Sequence, residues 1–207
     1  RPLIRPASVA GAPIDTLLNN LRLPEYRSRY RSRRELRGRS ADVVLPALRN
    51  WWKQLDQTDP NYEQWLLEGL WVSWGMNQID EELLQAVLTA TDHRVRAGGV
   101  RVLRYMHHQI DSADALFQAA ALDPHGRVRL EAIVAASWLP ANQGLAILAE
   151  AGKLPLDDWM IHAYRTSEAH LNDQAVAPMP ENPAPKHLSP DQIARYEKGR
   201  AIFEQEG

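Results

Sequence analysis

Residues 123–133 read DPHGRVRLEAI, and residues 92–100 read DHRVRAGGV. Each stretch places an aspartate before an Arg-Val-Arg triplet, and the triplets that begin at Arg94 and Arg127 lie 33 residues apart. An offset of this size between helical segments is typical of stacked helix pairs. We therefore predict an all-α fold, an α-solenoid in which each helix pair buries its apolar side against the next.

The sequence around these stretches follows the same cycle of helix starts and turns. Aspartate or serine ahead of an apolar period marks a helix start, and a following proline suits the first helical turn. Asp59, Asp92 and Asp123 are predicted to begin second helices in this way. The predicted pairs are 14–21 with 26–37, 40–55 with 60–74, 80–89 with 92–107, 112–122 with 123–138, and 141–151 with 157–171. About five helix pairs are thus expected over residues 13–171.

The second helices share a predicted core register. Residues four apart lie on one helix face, so apolar and small residues at that spacing predict a buried seam. On this basis the tryptophans on the register are expected to pack in the core, and Gly98 and Gly99 to let helices approach closely. The aligned positions are Ser32, Trp65, Val95, Val128 and Trp159, followed one turn later by Leu36, Gly69, Gly99, Ala132 and Ala163.

The repeated aspartates and arginines allow two interpretations. A helix N-terminus with guanidinium groups can bind an anion. Alternatively, Asp–Arg hydrogen bonds can tie one repeat to the next, and recurrence at a fixed offset favours this structural role. The predicted structural repeat positions are Asp92, Arg94, Arg96, Asp123, Arg127 and Arg129.

Positive charge is concentrated near the start of the chain. Residues 1–40 carry a net charge of +7, so the remainder carries −9 of the overall −2. Arg27, Arg31 and Arg34 share one face of the predicted helix 26–37, with Tyr30 between them. This face is expected to pack against an acidic partner domain or to form ion pairs with its neighbours, and nucleic acid is the less favoured partner.

Few other residues suggest chemistry. The sequence has no cysteine, and no apolar run is long enough to cross a bilayer. His107 and His108 are adjacent and diverge on a helix, while Asp158 and His162 supply only two ligands. We therefore predict no catalytic, cofactor-binding or metal-binding residue. Three tryptophans outside the core register are expected to face a neighbouring domain: Trp71, Trp74 and Trp138.

The two ends differ from the array. Residues 1–12 are predicted to be a linker, and residues 172–188, which contain four prolines, a semi-rigid linker. Residues 189–207 predict a helix that opens a following domain, with Ser189 and Gln192 forming a capping box. The sequence begins with Arg1 and ends within a helical pattern, so we expect a piece of a longer protein.

The turn pattern Asp-Pro-x-x-x-Val-Arg resembles that of HEAT repeats. The wider order is similar to exported dehydrogenase-like proteins of the planctomycete type, in which a sorbosone-dehydrogenase-like propeller, HEAT repeats and a c-type cytochrome domain follow one another. The residues that carry this resemblance are 26–36 (YRSRYRSRREL), 100–105 (VRVLRY), 127–132 (RVRLEA) and 198–203 (KGRAIF).

The resemblance implies a non-catalytic scaffold that joins a dehydrogenase-like domain to a cytochrome domain in the periplasm or cell envelope. Haem c would then belong to a domain after Gly207, since the sequence has no cysteine to attach it. Two alternatives stay open. One is an interaction module that binds a partner chain on the concave face of the array. The other is a DNA-binding enzyme of the HEAT-like glycosylase kind, which requires a basic face and a carboxylate in an aromatic pocket.

Overall fold

The computed structural model describes residues 6–175 and 188–206, and within them the chain forms eleven α-helices and no strand. Five helix pairs are present, as predicted, and the fold is an α-solenoid of helical repeats. The helices are α1 (Ile14–Asn20), α2 (Tyr26–Arg37), α3 (Ala41–Lys53), α4 (Tyr62–Gly75), α5 (Glu81–Leu88), α6 (His93–Met106), α7 (Ala113–Ala121), α8 (Gly126–Ala136), α9 (Ala141–Ala151), α10 (Asp158–Leu171) and α11 (Pro190–Glu206).

The second helices of the pairs form a continuous packed row. Helix α2 packs on α4, α4 on α6, α6 on α8, and α8 on α10. Each of them also packs on the first helix of its own pair. Because every helix buries its apolar side against sequence neighbours, the core runs along the array instead of gathering at one centre.

The predicted core register is largely confirmed. Val95, Gly99, Val102 and Met106 of α6 are all buried, as the i, i+4, i+7 spacing requires. The register fails in the last pair, where Trp159 is 66% exposed and Met160 is buried instead. The apolar face of α10 is therefore displaced by one residue from the alignment, and the prediction that core packing explains Trp159 is wrong.

Gly98 and Gly99 allow the close helix approach that their position predicts. A Cβ atom on Gly98 would lie 2.8 Å from Leu67 Cδ2 of α4. A Cβ atom on Gly99 would lie 2.8 Å from Val87 Cγ1 of α5. These distances are shorter than carbon–carbon contact, so Gly98 sets the spacing between neighbouring pairs and Gly99 sets the spacing between the two helices of its own pair.

Helix starts follow the predicted chemistry at some turns only. Asp92 accepts a hydrogen bond from the Arg94 N–H and caps α6, and Asp157 caps α10 through the Met160 N–H. Helix α8, however, begins at Gly126, and its cap is the Nδ1 atom of His125, which accepts from the Arg127 N–H. The prediction that Asp123 caps this helix is wrong, because its carboxylate is bound by Arg96.

Asp59 also lies outside the helix that it was expected to open. Helix α4 begins at Tyr62, and the Asp59 Oδ1 atom instead accepts a hydrogen bond from the Asn61 N–H in the preceding turn. Ser40 precedes α3 as predicted but makes no side-chain cap. A proline after an aspartate thus marks the turn here, two residues before the helix.

The chain divides into two units, Arg1–Val176 and Ala177–Gly207. In the second unit, the Ser189 N–H donates to Gln192 Oε1 and the Gln192 N–H donates to Ser189 Oγ, which is the predicted capping box at the start of α11. Residues 1–5, residues 176–187 of the predicted proline-rich linker, and the side chains of Ile202 and Phe203 lie outside what the structure describes.

Candidate interaction surfaces and the joints between repeats

Arg96 and Arg129 tie consecutive repeats together, as predicted. The Nε and Nη2 atoms of Arg96 donate to both carboxylate oxygens of Asp123 in the next pair, at 2.7 and 2.9 Å. The Nη2 atom of Arg129 donates to the carbonyl of Pro155, again in the next pair, at 2.7 Å. A bidentate pair of this kind fixes orientation as well as distance.

Arg94 and Arg127 form ion pairs within their own repeats and do not join one repeat to the next. The Arg94 guanidinium binds the carboxylate of Asp92 two residues earlier, at 2.7 Å on an exposed surface. Arg127 binds Glu131 one turn along the same helix, at 2.9 Å. Only one arginine of each triplet therefore joins repeats.

A second hydrogen-bond pattern marks the contact between consecutive pairs, here called the joint. The Nη1 atoms of Arg96 and Arg129 each donate to the carbonyls five and six residues earlier, and Arg29 of α2 does the same with Leu23 and Pro24. In α4, Glu63 lies 33 residues before Arg96 and caps the next pair by accepting from the Thr91 and Asp92 N–H groups. The fourth residue of α2, α6 and α8 is thus the arginine that joins consecutive pairs, whereas α4 uses the carboxylate of its second residue, Glu63.

A buried carboxylate that the sequence did not reveal joins α2 to α4. The Glu68 side chain is shielded from solvent, receives a 2.8 Å hydrogen bond from Arg29 Nε and forms an ion pair with Arg33. The Arg33 guanidinium also lies 5.0 Å from the Trp71 ring. Two of the arginines of α2 thereby share one carboxylate inside the array.

The other arginines of α2 face solvent. Arg27, Arg31 and Arg34, here called the arginine face, are exposed, and no ion pair involves them in the part of the chain that the structure describes. Tyr26 and Tyr30 are exposed beside them, with ring centroids 6.2 Å apart. That these arginines face a partner stays a prediction.

Three aromatic rings form an aromatic row, defined as Trp74, Tyr105 and Trp138. Trp74 stacks on Tyr105 at a centroid distance of 5.1 Å, and Trp138 meets Tyr105 edge-on, also at 5.1 Å. The row runs across the carboxyl ends of α4, α6 and α8. Beneath it, the Arg104 guanidinium lies 5.0 Å from the Tyr105 ring and 5.2 Å from the Trp138 ring.

The acidic groups of the joints have altered acidity. The hydrogen bond from the Arg94 side chain lowers the pKa of Asp92 to about 2. Burial on its own raises the pKa of Asp123, but hydrogen bonds from the Arg96 side chain and the His125 N–H outweigh it and lower the pKa overall. Both carboxylates are therefore held in the charged form by their partners.

The histidines contact one another without forming a metal site. His93 and His125, from consecutive turns, stack at a centroid distance of 3.4 Å. His107 and His108 meet edge-on at 6.0 Å. Across residues 6–175 and 188–206, no cluster of three or more His, Asp or Glu residues is arranged to hold a metal ion, and no ion pair links Asp158 to His162.

None of the helices described there has the length and apolar character needed to cross a bilayer.

Comparison with known proteins identifies the repeats. Residues 81–166 match the family model described as HEAT repeats, which covers helices α5 to α9 and most of α10. No curated protein and no solved structure matches the chain. Residues 81–166 are therefore similar to HEAT repeats, an architecture that suggests a scaffold or protein-interaction role.

Proposed function

We propose that this chain is a non-catalytic scaffold and that the arginine face of α2 is its docking surface for an acidic partner domain or chain. The observation that carries the proposal is the division of the arginines of α2. Arg29 and Arg33 both form ion pairs with Glu68, whereas Arg27, Arg31 and Arg34 are exposed without an ion pair among the described residues. An exposed positive face steers association with an acidic surface.

In its finer form, the proposal makes the array a spacer between a dehydrogenase-like domain and a c-type cytochrome domain in an exported electron-transfer protein of the periplasm or cell envelope. Its support is the resemblance of residues 26–36, 100–105, 127–132 and 198–203. The residues of this chain do not themselves fit a haem c group, because none is a cysteine. The haem would be bound by a domain that follows residue 207.

Hydrogen exchange tests the docking surface. Amide exchange of residues 26–37 is compared between these 207 residues alone and the natural protein with its flanking sequence. Docking predicts slower exchange of α2 in the longer protein, and substitution of Arg27, Arg31 and Arg34 by glutamine should abolish that protection. Equal exchange in the two proteins would exclude docking of a domain of the same protein on this face. Exchange of α6 serves as the internal reference.

The finer proposal has its own test. The coding sequence after residue 207 should contain a Cys-x-x-Cys-His motif, and the purified natural protein should show the absorbance bands of haem c. A following segment without that motif would remove the cytochrome domain from the proposal. It would leave docking on the arginine face unaffected.

The DNA-glycosylase alternative has little support from the site chemistry. Among the described residues, the buried carboxylates are Glu68 and Glu131, and each is bound by two arginines. A carboxylate in that state is neutralised and closed to a substrate. Absence of DNA binding at low salt is the expected result, since phosphate contacts are strongest there.

A further inference from the structure

We propose that Arg104 and the aromatic row form a binding site for an extended, acidic and proline-containing segment of a partner protein. This site lies at the carboxyl ends of α4, α6 and α8, whereas the arginine face lies on α2. The inference thus goes beyond the proposed docking surface. It rests on the burial and charge of Arg104 and on the exposed rings above it.

Arg104 is a buried cation without an acidic partner. Its residue is 9% exposed, its Nε atom has no hydrogen-bond partner, and no carboxylate forms an ion pair with it in the portion of the chain described. The Nη2 atom donates a long hydrogen bond, of 3.4 Å, to the Tyr105 hydroxyl. Burial of a charge is costly unless the charge is paired, so an incoming carboxylate would complete this site.

The rings compensate only part of that cost. Cation–π contacts with Tyr105 and Trp138, and the partial negative charge at the carboxyl end of α6, stabilise the guanidinium. The same partial charge disfavours an anion that stays at a distance. The ligand carboxylate must therefore hydrogen-bond the Arg104 guanidinium directly.

The exposed rings indicate what accompanies the carboxylate. Trp138 is 53% exposed and Tyr105 is 37% exposed, which leaves aromatic surface open across neighbouring repeats. Aromatic-lined surfaces bind proline-rich segments in the polyproline II conformation, whose rise is about 3.1 Å per residue. Each 5.1 Å step along the row therefore matches between one and two residues of such a segment.

Positive charge extends along the same side of the array. The Cδ atom of Arg37 lies 3.9 Å from the place where a Cβ atom on Gly75 would stand, directly after Trp74. Arg37 is exposed, and no ion pair involves it among the described residues. A second arginine thus stands beside the Trp74 end of the row, which favours acidic residues at more than one position of the segment.

Fluorescence anisotropy tests the site with a labelled peptide of about ten residues in which proline and glutamate alternate. We expect saturable binding by the chain. A matched peptide of proline and glutamine should bind about tenfold more weakly, because it cannot form the charge-assisted hydrogen bond. Equal affinity for the two peptides, or no saturable binding, would overturn the proposal.

Variants locate the site. Trp138→Ala should weaken binding about tenfold, and Arg104→Met at least as much. Trp159→Ala removes another exposed tryptophan and should leave the affinity unchanged, as should glutamine at Arg27, Arg31 and Arg34. Urea midpoints verify folding, and Trp138→Ala remains decisive if Arg104→Met is unfolded.

Two further outcomes would contradict this assignment. Loss of binding in the arginine-face variant with retention in Trp138→Ala would place the peptide on α2. Displacement of the peptide by a single-stranded oligonucleotide is the other outcome. If binding of that oligonucleotide is lost in Trp138→Ala, nucleic acid is the ligand of this site. Failure of the peptide test leaves the hydrogen-exchange test of α2 independent, so the two proposals fail separately.

Discussion

At the joint between α2 and α4, one solvent-shielded carboxylate, Glu68, is bound by two arginines of the preceding helix. At the joint between α6 and α8, the ionic contacts are divided. Arg96 binds Asp123, while Glu131 is bound by Arg101 from α6 and by Arg127 from its own helix. At the first joint the carboxylate and both arginines are largely buried, whereas at the second joint the two arginines that bind Glu131 are about half exposed. The two joints should therefore respond differently to the loss of one carboxylate.

The largest effect is expected for Glu68→Gln. The substitution leaves the largely buried guanidinium groups of Arg29 and Arg33 without a counter-charge, and breaking a buried pair costs about 3 kcal/mol or more. Urea denaturation measures the change in the free energy of unfolding.

The matched control is Glu131→Gln at the other joint. Its partners Arg101 and Arg127 are each about half exposed, so solvent replaces much of the lost contact, and we expect a cost of about 1 kcal/mol. Equal losses in the two variants would show that burial does not distinguish the joints.

Helix spacing provides the next comparison, through Gly98→Ala and Gly69→Ala. At Gly98 the new methyl group would lie 2.8 Å from Leu67, so overpacking of about 1–3 kcal/mol exceeds the gain in helix propensity. At Gly69 the nearest atoms, on Leu48 and Trp51, lie at 3.4 Å. There the propensity gain of up to about 1 kcal/mol should prevail. Thermal unfolding of both variants checks the opposite signs.

A smaller effect should separate the two repeated aspartates. Asp123→Asn loses the charge-assisted bidentate contact with Arg96 between repeats, at a cost of about 1–2 kcal/mol. Asp92→Asn keeps a competent helix cap and loses only an exposed pair with Arg94, so a smaller cost of about 0.5 kcal/mol is expected. If Asp92→Asn lowers the free energy of unfolding more than Asp123→Asn does, the assignment of Asp123 to the joint and of Asp92 to the helix cap is wrong.

The smallest effect is a dependence of stability on acid. The folded state lowers the pKa of Asp92 to about 2 and lowers that of Asp123, so both carboxylates release protons more readily than in the unfolded chain. Their stabilisation is complete above about pH 4 and is lost as the pH falls towards 2. Urea midpoints across this window should decline, and Asp92→Asn should decline less steeply. If Asp92→Asn leaves the slope of the urea midpoint against pH unchanged, the Asp92 carboxylate does not contribute to the acid dependence of stability.

The repeat array itself could be predicted from the sequence because its information is local. The spacing of Val95, Gly99 and Val102 defines a buried face without reference to any distant residue. Likewise, the match between Arg96 and Arg129 depends on a triplet that recurs after 33 residues. Both features were confirmed in the structure.

The features that the sequence did not reveal depend on pairings between helices. Glu68 meets Arg29 across 39 residues, and nothing in the local pattern distinguishes Arg29 and Arg33 from the exposed arginines of α2. A change of one residue between repeats also moved the buried position from Trp159 to Met160. Alignment by offset cannot detect such a change, since either residue is apolar and suits a helix.

The meagre burial of α10 has a consequence for the order in which the array loses structure. Only Met160 and Ser167 are buried in this helix, whereas α6 and α8 bury most of their length. In an array held by nearest-neighbour contacts, the weakest repeat opens first and its neighbours follow in sequence. We therefore expect amide protection to rise stepwise from α10 towards α6. Opening from this end would expose the seam of α8 well before the ionic joint of α2 is disturbed.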